Sequence, residues 1–243
     1  MTPLQTGRQL ELEHAAAETI AASLRRAQQQ RQRVSLALPG GRSVGGVLRC
    51  LLEQDIAWQH VVVLPADERC LPQGHSERNW QIVQSELLQQ LIDRGALPAQ
   101  NCHPFIYLPH LPDWGLADFG RSLDLPRTRD DTALIDVVVL GAGEDGHIAS
   151  LFPGSPLLHS TDGDFLQVAD SPKPPPRRIT LSPAMIRSCG AAVVLFFGET
   201  KRGAARAFAD HSVPVHACPA KLVHAVEHAW AFADRRASPA RPG

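Results

Sequence analysis

The chain has 243 residues, of which 44% are hydrophobic and 20% charged, and its formal net charge is −1. This length and balance suit one α/β domain with a buried core, and so small a net charge excludes a long-range pull toward nucleic acid or anionic lipid. No apolar run approaches the roughly 18 residues of a membrane span, and the opening MTPLQTGRQLELEH lacks the basic and apolar regions of a signal peptide. The five cysteines (Cys50, Cys70, Cys102, Cys189 and Cys218) are scattered, odd in number and free of any CxxC pair. They read as free thiols, and the expected location is the cytoplasm. Arginine outnumbers lysine heavily, leaving Lys173, Lys201 and Lys221 as the only three lysines.

The first predicted helix covers Gly7 to Gln30, with Leu10, Leu12, Ala16, Ile20 and Leu24 as its apolar stripe. A strand follows at Val34 to Leu38, broken by PGGRS, and then a helix through Val47, Leu48, Leu51 and Leu52. The pattern repeats with a strand at Val61 to Leu64, a polar loop ADERCLPQGHSER and an amphipathic helix from Asn79 to Asp93. Between residues 95 and 133 Pro98, Pro104, Pro109 and Pro112 predict a looping connection, with a short strand near Phe105 to Tyr107 and a helix from Trp114. Ile135 to Leu140, IDVVVL, is the clearest strand, because a continuous β-branched run belongs to a strand buried on both faces. Further strands are predicted at Phe165 to Val168, Arg178 to Leu181, Ala192 to Phe197 and Trp230 to Phe232, with a helix from Thr200 to Ala209. SPKPPPRR, Ser171 to Arg178, reads as an exposed stiff connection. The alternation gives a single α/β domain over residues 1–236, doubly wound around a mostly parallel sheet flanked by helices in a modified Rossmann-like arrangement, with a disordered tail at 237–243.

Three short motifs invite other functions. GAGEDG after a strand matches a dinucleotide fingerprint, with Asp170 at a suitable distance downstream. Glu144 and Asp145, however, place two carboxylates where a pyrophosphate would sit. GRSVG matches the nucleophile elbow of a serine esterase with Ser43 as nucleophile. Only one predicted strand precedes it, too few to supply an oxyanion hole, so Ser43 reads instead as a helix-capping or ligand-donating hydroxyl. HAVEH, His224 to His228, matches an inverted zinc motif but lacks a nearby third ligand, and no metal is expected.

Ligands of doubly wound folds bind beyond the C-terminal strand ends, which selects four loops: PGGRS, ADERC, GAGEDGH and GETKR. Gly40 and Gly41 allow backbone N–H groups close to an anion, and Arg42 and Ser43 add a guanidinium and a hydroxyl. Asp67, Glu68 and Arg69 follow the second strand, Lys201 opens a later helix and Arg178 lies on another strand. Several cations around a glycine loop suit a phosphate dianion. His147 is the one histidine within these loops. It is expected to open a short helix IASLF, whose N-terminus would disfavour imidazolium and keep the ring available as a base.

At these residues the chain resembles the 6-phosphogluconolactonases. LALPGGRS is similar to that family's first glycine loop, WQHVVVLPADERCLP to its DER segment, LGAGEDGHIASLFPG to its most specific signature, and RRITLS and FFGETKR to later segments. Together they run from about Val34 to Asp234. Pro39, Val44 and Arg78 depart from the commoner residues. The resemblance implies hydrolysis of 6-phosphoglucono-δ-lactone to 6-phosphogluconate in the pentose phosphate pathway, without metal or organic cofactor; nothing in the sequence demands a partner chain, so a monomer is expected. His147 would be the general base, with Asp67 or Asp145 as its orienting carboxylate. Gly40, Gly41, Arg42, Ser43, Arg69, Arg178 and Lys201 would hold the substrate. The alternatives are the Ser43 esterase, a glucosamine-6-phosphate deaminase-like isomerase and a non-catalytic sugar-phosphate binder. The segments Asp67-Glu68-Arg69 and Ala149 to Pro153 differ from the deaminase pattern and favour the lactonase.

Overall fold

A computed structural model describes residues 1–41 and 43–238. Its centre is a parallel sheet of six strands in the order β1-β9-β8-β5-β2-β3. These are β1 Leu4–Gly7, β2 Val34–Leu38, β3 Val61–Pro65, β5 Val137–Gly141, β8 Ala191–Phe196 and β9 Ala229–Asp234. A second, antiparallel sheet joins β4 Asp67–Arg69, β7 Arg178–Thr180 and β6 Leu166–Val168 in the order β4-β7-β6. Helix α1 spans Gln9–Gln28 and α2 Gly45–Leu51, while α3 Asn79–Val83 continues through a π-helical turn into α4 Gln89–Asp93. Helices α5 Leu116–Leu123, α6 Pro183–Ser188 and α7 Arg202–Ala209 complete the set. Among the described residues no helix is long and apolar enough to cross a membrane.

Alternation along the central strands explains why Val137–Gly141 carries no polar face. Val137 and Val139 enter one core cluster with Leu36, Leu38, Val61 and Val63, against α1 to α4. Val138 and Leu140 enter the opposite cluster with Phe105, Phe119, Met185 and Phe208. Successive side chains point to opposite faces, so a strand covered on both sides must be apolar throughout. The chain leaves β2 outward to β3, returns to the centre at β5 and then proceeds through β8 to β9. The sheet order therefore reverses between β2 and β5, and the crevice between their C-terminal ends is the expected ligand position.

Several local expectations change. Helix α1 buries Leu12, Ala16, Ile20 and Leu24, but Leu10 is 64% exposed because it falls off the stripe that those residues define. The residues just before that helix form β1, too short to announce itself, which pairs with β9 from Leu4↔Ala231 to Gly7↔Asp234. Asp67–Arg69 is a strand, not a loop, and Arg69 sits opposite Arg178. Phe105 to Tyr107 run as irregular backbone, with Phe105 wholly buried against Phe119, and α5 begins two residues beyond Trp114. The HAVEH histidines face different partners: the His224 ring lies 4.4 Å from Phe208, and His228 stacks toward Trp230. Among the described residues no group of three His, Cys, Asp or Glu is placed to hold a metal. Ala237, assigned by sequence to the tail, is buried, with its amide donating to Asp234 Oδ1, and residues 239–243 lie outside the described residues.

Candidate active site

The loops after β2 and β5 meet at the point of strand reversal. A Cβ on Gly141, the last residue of β5, would lie 3.5 Å from Ser43 Oγ. Gly41 has φ +96°, a conformation open to glycine. At Gly40 a Cβ would fall 2.1 Å from Asn79 Oδ1, so only glycine lets the start of α3 press on this loop. Ser43 caps no helix: α2 has Val44 at its N-cap with no side-chain cap. Among the described residues Ser43 makes no hydrogen bond to a histidine, which the esterase reading requires. Arg42 lies outside the described residues.

His147 sits on a tight turn rather than at a helix N-terminus. Gly146 N–H donates to Gly143 O at 3.1 Å and Gly143 N–H to His147 O at 2.7 Å. Beyond it, Ile148 and Leu151 form an antiparallel bridge, and Ala149 adopts a left-handed φ of +48° that interrupts any helix. The helix-dipole reason for a neutral imidazole therefore does not apply here. A hydrogen bond orients the ring instead: Nδ1 lies 2.5 Å from Asp145 Oδ1, and the His147 amide donates to the same oxygen at 3.3 Å. A Cβ on Gly143 would stand 2.0 Å from His147 Nδ1 and 2.5 Å from that Asp145 oxygen. Glycine at 143 thus creates the space in which the pair forms.

The electrostatics favour an ionised Asp145. Burial opposes its charge, but the hydrogen bond and charge of His147, with Lys173 nearby, hold its carboxyl well below the usual carboxylate range. Lys173 Nζ lies 3.5 Å from Asp145 Oδ2 and 3.5 Å from Glu144 Oε1. The His147 ring packs 4.5 Å from that of Phe152, and the Arg178 guanidinium lies 5.6 Å from the Phe152 centroid. His147 Nδ1–H as donor leaves Nε2 as the basic nitrogen.

Asp67, the other candidate partner of His147, is engaged elsewhere. Its Oδ1 accepts from Asn79 Nδ2 at 2.9 Å and its Oδ2 from Ser150 Oγ–H at 2.6 Å, with the residue only 4% exposed. Ser150 N–H in turn donates to Thr180 Oγ1. Glu68 is fully buried and accepts from the amides of Arg69, Asn79 and Trp80 and from Arg78 Nε, so it caps the start of α3 from a neighbouring strand. Burial pushes its carboxyl up, against the pull of Arg78 and those amides. Arg78, a departure from the resembling pattern, thereby has a clear local function, and it also donates to Phe105 O.

The cations divide by what they already bind. Arg178 is 3% exposed, and its Nε and Nη2 donate to the carbonyls of Pro175, Lys173 and Pro174, while Nη1 reaches Ser150 Oγ at 3.5 Å. Most of its donors are thus committed to the 173–175 backbone, leaving little for the phosphate that the sequence assigned to it. Burial first and the Arg69 cation second lower its proton affinity, with Asp67 opposing them. Arg69 Nη1 donates to Glu77 O, and among the described residues its buried Nε has no hydrogen-bond partner. Lys201 ends the turn Glu199–Lys201 on the loop after β8, the strand next to β5. Sequence reasoning missed Phe152, Ser150 and Lys173 as site residues; only Lys173 had a signal, as one of three lysines.

Comparison with known proteins bears on the same crevice. The family described as glucosamine-6-phosphate isomerases/6-phosphogluconolactonase matches residues 8–231. A 6-phosphogluconolactonase of Mycobacterium leprae is 30% identical over 243 residues, covering 94% of each chain. One from Streptomyces coelicolor is 33% identical over 201 residues, 78% of this chain and 76% of its own. The crystal structure of a 6-phosphogluconolactonase from Shewanella baltica superposes with a TM-score of 0.77 at 27% identity, covering 96% of this chain and 97% of that one.

Proposed function

The chain belongs to the glucosamine-6-phosphate isomerase/6-phosphogluconolactonase family, and from that premise we propose that it hydrolyses 6-phospho-D-glucono-1,5-lactone to 6-phospho-D-gluconate, with His147 as general base. The reaction places it in the pentose phosphate pathway. The observation that carries the mechanism is the Asp145–His147 pair at 2.5 Å, held at the end of β5 in the strand-reversal crevice. The lactonase side of the family is favoured by relatives of that name at 30% and 33% identity and by Ala149 to Pro153, which differs from the deaminase loop.

Hydrolysis needs one proton moved twice. Water adds to the lactone carbonyl carbon while His147 Nε2 takes its proton, and Asp145 stabilises the imidazolium formed. Collapse of the tetrahedral intermediate breaks the bond from the carbonyl carbon to the ring oxygen, and Nε2–H protonates that oxygen as it departs. Arg69, Lys201 and Arg42, with Ser43 and the backbone of Gly40 and Gly41, bind the phosphate and fix the carbonyl against the water. The partner is this small-molecule lactone; no nucleic acid, membrane, metal or organic cofactor takes part, and one chain supplies every group named. Asp67 supports the site from beneath and leaves the orientation of His147 to Asp145.

A lactone-hydrolysis assay corrected for the spontaneous reaction tests the proposal directly. His147→Ala is expected to lower turnover by about 10²–10⁴-fold, the usual worth of a positioned base. Near-wild-type turnover in a folded variant would remove His147 from the chemistry.

A further inference from the structure

Sequence and fold leave Lys173 without a role, although it stands beside the catalytic pair. Its loop is closed and anchored rather than loose. Ser171 N–H donates to Pro176 O at 2.9 Å, Ser171 Oγ–H donates to Lys173 O, and Arg178 donates to the carbonyls of residues 173, 174 and 175. The buried Arg178 therefore acts as the post on which the proline loop is hung. From that loop the Lys173 ammonium reaches the Asp145 oxygen that does not bind histidine, 3.5 Å away.

We propose that Lys173 is a positioning residue for catalysis: bound to Asp145 Oδ2, it fixes the carboxylate so that Oδ1 stays on the His147 Nδ1–H. This inference rests on His147 being the base. A carboxylate on a glycine-bounded turn can rotate about its Cβ–Cγ bond, and a cation on one oxygen sets where the other points. The same cation adds to the electrostatic field at the ring. Facing the pair are Glu144 from the same turn, Lys173 from the proline loop and the Arg178 cation beyond Phe152. Behind Gly146 lies Cys218, whose thiol burial keeps protonated, with Lys221 near it. Of these, only Lys173 touches Asp145 Oδ2 among the described residues.

Lys173→Met keeps the length of the stem and removes the charge; Lys173→Arg keeps the charge. A residue that acts through the base is worth a share of the base's own effect, so kcat for Lys173→Met should fall about tenfold while KM changes less than about twofold. The fall should be equal with glucono-δ-lactone lacking phosphate, because the lysine acts on histidine and not on the phosphate. Lys173→Arg should recover most of the lost kcat. If Lys173→Met instead raised KM for the phosphorylated lactone alone, with kcat unchanged, the lysine would be a phosphate ligand and the positioning role would be wrong. Wild type run in parallel separates the two readings. Without lactonase activity in wild type the proposed function falls; with it, an unaltered Lys173→Met overturns the role of Lys173 alone.

Discussion

Two carboxylates stand near the crevice, and their surroundings differ. Asp145 has a third of its side chain open to solvent, and its oxygens meet the His147 ring and amide and the Lys173 ammonium. Asp67 is buried, and its oxygens are occupied by Asn79 and Ser150, which tie β4 to α3 and to the segment after His147. The difference teaches that a carboxylate's role follows from what its oxygens already hold. One is available to a histidine; the other fastens the floor beneath it.

Exchanging the two sites experimentally gives the largest expected effects. Asp67→Ala leaves the buried Ser150 hydroxyl without its acceptor and takes one of two acceptors from Asn79 Nδ2, which should cost about 3 kcal/mol of stability, read as a lower urea midpoint. Asp145→Asn should lower kcat by about a hundredfold, since the histidine loses its charged partner and its fixed tautomer. Its urea midpoint should correspond to a change below about 1 kcal/mol, because the pair is partly solvated. Loss of turnover in Asp67→Ala without a lower midpoint would reverse the assignment.

A smaller effect is expected at Gly143, where an added methyl would collide with the His147 ring and the Asp145 oxygen. The turn can yield by a small shift, so Gly143→Ala should lose about tenfold in kcat with little change in KM, measured in the same assay. Gly95→Ala, in the turn after α4, is the matched control, because it is strained by its φ of +67° yet touches nothing within 4 Å; it should cost about 1 kcal/mol in stability and leave the pair intact.

The smallest effect is a pH dependence. The folded-state affinity of Asp145 for a proton is depressed, so its contribution to stability is complete above the ordinary carboxylate value of about 4 and is lost as pH falls toward the lower folded value. Solvent screening limits it to about 1 kcal/mol. The stability gap between wild type and Asp145→Asn should therefore narrow between pH 6 and pH 2, as followed by urea unfolding. A gap that widened on acidification would contradict the ionised pair.

Much of this arrangement was legible wherever the physics is local. A β-branched run buried on both sides announces Val137–Gly141, and the glycines of GAGEDGH announce a turn carrying Asp145 and His147 beyond it. The strand at Asp67–Arg69 was not legible, because three polar residues have no period and their partner at Arg178–Thr180 is remote in the chain. The helix expected after His147 failed for a similar reason. IASLF is apolar enough for a helix, but Ala149 turns left-handed while Ser150 bonds Asp67 and Thr180 from other elements.

The sequence by itself determined the parallel α/β architecture and which loops gather at its C-terminal edge, because strand periodicity and strand order govern both. It also determined that a histidine and a carboxylate would share one of those loops, since they are two residues apart. Only the tertiary structure paired His147 with Asp145 and not Asp67, turned Arg178 toward the proline loop and brought Lys173 to the turn that carries the pair. Those choices depend on hydrogen-bond partners supplied by distant segments, and a side chain's free valences appear only when its neighbours are in place.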